Sequence, residues 1–113
     1  MEIKSGILTE AYSTTFAWSS AIDTHLLDAG FFNLEYNIIG QSSQVTFAWS
    51  GCSIEAGTYT LGGMIQESAT SNTGPNGTGR GFAGFDPEIF PWMKIGAYAP
   101  STTTALSATL IMD

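Results

Sequence analysis

Positive charge is the scarcest thing in this chain. Lys4, Arg80 and Lys94 are its only basic residues, against ten acidic ones, for a net charge of −7. Binding a nucleic-acid backbone requires several Lys or Arg to neutralise phosphates and release their counterions. Three scattered cations exclude that mode, and docking on an anionic membrane surface fails for the same reason. Cysteine is nearly absent too. Cys52 stands alone, which excludes an internal disulfide or a multi-cysteine metal site. It reads as a small buried apolar side chain. The single histidine, His25, cannot build a His-rich zinc centre. No stretch approaches the roughly 20 apolar residues of a membrane span. The opening M-E-I-K-S-G-I-L has no apolar core of signal-peptide length, so folding in a cytoplasm is expected.

What the chain does have is apolar and aromatic material. Of its 113 residues, 43% are hydrophobic and 12% aromatic, enough to fill the core of one domain spanning residues 1–113. Charged residues make up only 12%, against the roughly 25% usual for soluble domains. The surface must therefore be built from Ser, Thr, Asn, Gln and Gly. Such a surface suits β-structure and close association with neighbours.

Alternation of period two is the dominant pattern. Phe32, Leu34, Tyr36 and Ile38 alternate with Asn33, Glu35 and Asn37. After Gly40-Gln41-Ser42-Ser43, Val45, Phe47 and Trp49 alternate with Thr46, Ala48 and Ser50. Two such runs across a short turn predict an antiparallel hairpin with one buried face. Further strands are expected at Ile3 to Glu10, with Gly6 as a bulge, and at Thr14 to Ser19. Thr58 to Glu67 reads as a strand broken at Gly62-Gly63. Trp92 to Ala99 and Thr103 to Met112 are the last strands, joined by a turn at Pro100-Ser101-Thr102. Ala21 to Ala29 reads as a turn or one helical turn, and Phe82 to Pro91 as irregular. The segment 68–81 is rich in Gly, Asn, Ser and Thr and reads as a long loop. About eight short strands with regular turn signals predict an all-β antiparallel sandwich of jelly-roll type. The tetrad F-A-W-S recurs at Phe16 and Phe47, which suggests two strands meeting similar core environments.

Candidate chemistry is thin. His25 lies between Asp23 and Asp28, but no G-x-S-x-G elbow accompanies it, so a turn histidine is the reading. Glu35, Glu55, Glu67, Asp86 and Glu88 lie on or near strands, as glycosidase carboxylates must, yet nothing in their spacing selects a pair. Asp23, Asp28 and Asp86 do not cluster as calcium ligands do. Asn76-Gly77-Thr78 matches a glycosylation sequon but reads as a tight turn. Catalytic, cofactor-binding and metal-binding roles are assigned to no residue. Trp49 continues a buried face and belongs to the core, whereas Trp92, after Pro91, suits an exposed ring. An exposed Trp18 or Trp92 would suit a carbohydrate-binding module, the alternative reading.

Several features in order resemble the small β-sandwich structural proteins of tailed bacteriophage particles and prophages. They are G-F-F-N-L-E-Y-N-I-I-G, then S-S-Q-V-T-F-A-W-S, a Gly- and Asn-rich loop, F-D-P-E-I-F-P-W-M-K-I-G-A, and T-A-L-S-A-T-L-I-M. The similarity covers roughly Ile22 to Met112. Chains of that kind often carry an S-x-D-G turn where this one has Ser50-Gly51-Cys52-Ser53. The resemblance implies a non-enzymatic virion component made in the host cytoplasm. It would be a capsid decoration protein, or another auxiliary head or tail protein, on the outer surface. Its partners would be phage capsid or tail proteins and copies of itself, a trimer being a common arrangement. An acidic chain is repelled by packaged DNA, which agrees with an outer position. The contact region expected on this reading is the 68–81 loop and the segment after it. Asn72, Pro75, Asn76, Arg80, Phe82, Phe85 and Trp92 are the candidate interface residues.

Overall fold

The structure is a computed structural model that describes residues 2–24, 31–39, 44–70, 79–87, 90–100 and 103–112, without the side chain at 68. Nine strands are present among these residues, and no helix. They are β1 (Glu2–Ala11), β2 (Ala17–Trp18), β3 (Ile22–Asp23), β4 (Phe32–Ile39) and β5 (Val45–Cys52). β6 (Thr60–Ala69), β7 (Arg80–Phe85), β8 (Trp92–Tyr98) and β9 (Thr104–Met112) follow. One sheet has the order β1-β9-β4-β7; the other has β2-β8-β5-β6, with β3 also on β8. Every strand pairing is antiparallel. The all-β antiparallel sandwich expected from the alternation is therefore the fold. Among the described residues no helix is long and apolar enough to cross a membrane.

The expected hairpin is not there. β4 pairs with β9 and β7, whereas β5 pairs with β8 and β6, so the two runs lie in opposite sheets. Alternation states which side chains must leave water, and both arrangements satisfy it. In a hairpin the two apolar rows would share one face. Here they face each other, and the rings of Tyr36 and Phe47 meet across the interior at 4.9 Å. Leu34, Val45, Phe47, Ile95, Leu110 and Met112 are fully buried between the sheets. Each such side chain contributes about 1.5–3 kcal/mol by leaving water.

Local irregularities follow the glycines. Gly6 has φ +64°, and the β1–β9 register shifts between Ser5 and Leu8, as a bulge requires. The β5–β6 register shifts between Trp49, opposite Gly63, and Ser50, opposite Leu61, so that Gly62 is the extra residue. The Trp49 indole occupies the place a Gly62 side chain would take, so the bulge makes room for a core ring.

Other boundaries differ from expectation. Thr14 to Ser19 contributes only the two residues of β2, because Ser19 keeps its backbone N–H in the ladder while its hydroxyl, in place of its carbonyl, accepts the returning bond. Ser19 N donates to Ile95 O at 2.8 Å, and Ile95 N donates to Ser19 Oγ at 3.0 Å. The chain then re-pairs as β3, where a turn or helical turn is expected from sequence, with Ile22 opposite Met93. Residues 80–85, which read as the end of a loop and an irregular segment, form an edge strand on β4. Gly81 and Gly84 interrupt its apolar pattern and hide it. The centre of the expected loop, 71–78, lies outside the described residues, as do 40–43 and residues 101–102 of the expected turn.

Candidate functional site

The outer faces of the two sheets are where a partner or ligand could be met. On the β1-β9-β4-β7 sheet the outward row of β4 is Asn33, Glu35 and Asn37. These stand in register with Ile111, Thr109 and Ser107 of β9 and with Gly84, Phe82 and Arg80 of β7. This face mixes polar and apolar side chains: Phe82 is 72% exposed opposite Glu35 on the end strand, and Ile3 and Ile39 are exposed on the same sheet. Arg80 is exposed opposite Asn37, two residues before Phe82.

Phe85 has a different place. It is half-buried, and its ring meets that of Phe32 at 5.4 Å beside the core. Of the two phenylalanines expected at a contact surface, Phe82 is the one that faces water. Trp92 is half-buried on the outward face of β8, opposite Cys52 on β5 and Asp23 on β3. Asn72, Pro75 and Asn76 lie outside the described residues, as do His25, Asp28 and Glu88.

The carboxylates do not converge. Glu35 is on β4, Glu67 on β6, Glu55 in the connection after β5 and Asp86 after β7, and all four are exposed. Among the described residues no group of three or more His, Cys, Asp or Glu side chains is placed to hold a metal ion. The connection 53–59 folds back on the outer face of β5. Tyr59 donates from its hydroxyl to Glu55 O at 2.8 Å, and Lys94 Nζ sits 4.4 Å from the centre of the Tyr59 ring. Burial raises the Tyr59 pKa, and the charges of Cys52 and Glu55 add to the rise. Cys52 beneath is buried and free, as its lone occurrence suggests.

The β2–β8 end of the second sheet carries an aromatic cluster. Ala17 is buried opposite Ala97, so its neighbours Phe16 and Trp18 project outward. Their rings are stacked with centroids 5.2 Å apart, and Phe16 meets Tyr98 at 5.5 Å. Trp18 lies over Gly96, its register partner, where a Cβ would come within 2.6 Å of the indole. Trp18 nonetheless remains 39% exposed, in contrast to core Trp49 at 7%. Tyr12, 41% exposed, bridges to Tyr98, and Tyr12 O accepts from Ala99 N at 2.9 Å.

No model of a known protein family matches this chain, and no curated protein matches it significantly. The candidate surfaces therefore rest on their own geometry. Of the cluster, only Trp18 stands out in the sequence as a surface aromatic. Phe16 and Tyr98 do not, and the repeated F-A-W-S gives no signal: Phe47 and Trp49 of the second copy are core residues whereas Phe16 and Trp18 lie outside, so the two copies meet opposite environments and not the similar core environments expected. An inward Ala places both of its neighbours outside.

Proposed function

We propose that this chain is a non-enzymatic structural protein of a tailed-phage particle, seated on the outer surface of a head or tail shell. The observation that carries the reading is the β7 edge. Among the described residues β7 is the end strand of its sheet, and it displays Arg80 and the 72% exposed Phe82 ring. A sheet edge with an exposed aromatic is a surface that a contact within an assembly would cover. The strand order supports the same reading. With β2 and β3 counted as one interrupted strand, the two sheets run 1-8-3-6 and 2-7-4-5. That order supports the jelly-roll arrangement expected from the sequence, an architecture used in viral shell proteins and in lectins. The net charge of −7 favours a site away from packaged DNA.

The test is co-sedimentation of the purified chain with intact particles from the host that carries its gene. Wild-type protein is expected to pellet with particles and Phe82→Asp to stay in the supernatant. A chain that associates with neither heads nor tails overturns the reading. Sedimentation of the free protein reports whether copies assemble, for instance as trimers, before they meet the shell.

A further inference from the structure

We propose that the Phe16, Trp18 and Tyr98 cluster is a binding site for a neutral carbohydrate, with a sugar ring stacked on the exposed part of the Trp18 indole. This goes beyond the assembly reading and does not depend on it.

Three observations lead there. The first is that the ring is held in place. Ala17 fixes the strand from the inside, Gly96 leaves space for the indole on the outside, and Phe16 stacks beside it. An aromatic surface positioned before binding costs little further ordering entropy when a ligand arrives. The second is that this supported ring is still partly open to water, with Tyr12 exposed nearby. The third is charge. No charged residue occurs from Ala11 to Ile22, in a chain whose net charge is −7. The outward row across the sheet is Trp18, Gly96, Ala48 and Met64, equally uncharged.

A sugar ring matches that combination. One face of a pyranose presents C–H bonds that pack on an aromatic surface, while its rim presents hydroxyls. Hydroxyl-bearing residues flank the cluster: Thr46 is in register with Tyr98, and Tyr12 is bridged to it. A neutral ligand brings no charge to be desolvated, and an anionic one is repelled by the acidic chain. The competing occupant is a second copy of the chain, because Leu61 and Met64 extend the apolar surface on the same sheet.

The experiment is an NMR titration of the full chain, following the indole N–H signals of its three tryptophans. The probes are neutral gluco-, manno- and galacto-oligosaccharides and N-acetylglucosamine oligomers, each added to about 10 mM, which detects even weak association. At least one probe is expected to move the Trp18 signal saturably. Trp18→Ala should then weaken that binding by about tenfold or more, a loss of about 1.4 kcal/mol. Gly96→Ala should weaken it as well, because it displaces the indole without removing an aromatic ring. Trp92→Ala should leave it unchanged. Failure of every probe to move the Trp18 signal overturns the proposal, and so does binding that survives Trp18→Ala. Self-association lost in Trp18→Ala, without any sugar response, assigns the cluster to a second copy instead. Particle co-sedimentation of Trp18→Ala is read separately, so that the failure of either proposal is seen by itself.

Discussion

The two sheets of this sandwich solve the same packing problem in different ways. In the β1-β9-β4-β7 sheet, β4 alternates large apolar side chains with polar ones, a single ring, Tyr36, lies over a glycine, Gly81, and outside β1 the registers run without interruption. In the β2-β8-β5-β6 sheet, three rings are laid into places that glycines leave open. Trp49 takes the space beside Gly62, Phe90 that beside Gly51 and Trp18 that beside Gly96. The first sheet gains regularity. The second gains rings held at chosen positions, one of them left open to water. Regular alternation builds a wall, and departures from it build features on the wall.

Substitutions can break or sharpen this contrast. The largest effect is expected where both sheets meet. Phe47→Ala removes the ring that packs on Tyr36 and should cost about 3–5 kcal/mol in denaturant unfolding. Next comes the ring-on-glycine packing of the second sheet. Gly62→Ala forces a methyl into the Trp49 indole and should cost about 1–3 kcal/mol. A glycine of the first sheet with no ring over it should behave in the opposite way. Gly84→Ala meets nothing nearer than Phe32 O at 3.7 Å, and should be neutral or stabilise by about 0.5 kcal/mol through the unfolded chain. Equal losses from the two glycines would erase the distinction between ring-covered and open glycines.

A pH dependence separates them further. Burial raises the pKa of the Tyr36 phenol, so the folded state holds its proton more tightly than the unfolded state does. The stability linked to that proton is fully present below the unfolded value of about 10 and is lost as pH climbs through the folded one. Melting followed from pH 8 to 11 should therefore show an alkaline decline that is shallower in Tyr36→Phe. An unchanged slope would assign the decline to other groups. The smallest effect belongs to the surface. Glu2 and Lys4 make an ion pair at 3.4 Å with both side chains 46% exposed, and Lys4→Ala should shift stability by less than about 1 kcal/mol.

Much of the wall is legible in the sequence. The alternation of Phe32, Leu34, Tyr36 and Ile38 identifies an inner face because each of these side chains must leave water. The same rule does not say against which sheet they pack, so β4 and β5 read as a hairpin when they are opposed layers. The edge strand β7 escapes notice because Gly81 and Ala83 stand on its inner row, so only Phe85 marks that face as apolar. β3 escapes because two residues carry no period at all. At the candidate surfaces, Phe82 and Trp18 can be picked out as aromatics in polar or small surroundings. The support of Trp18 by Gly96 joins residues 78 positions apart, which strand register alone reveals.

The interrupted strand on β8 has a consequence for life in a crowded cell. A free edge long enough to accept a foreign strand is an invitation to uncontrolled polymerisation. At this border the chain covers β8 with two stubs, β2 and β3, and fills the gap between them with a serine hydroxyl. A passing polypeptide finds no unbroken row of free amides and carbonyls to zip against, so a protein this poor in repelling charge keeps one of its borders from nucleating fibrils.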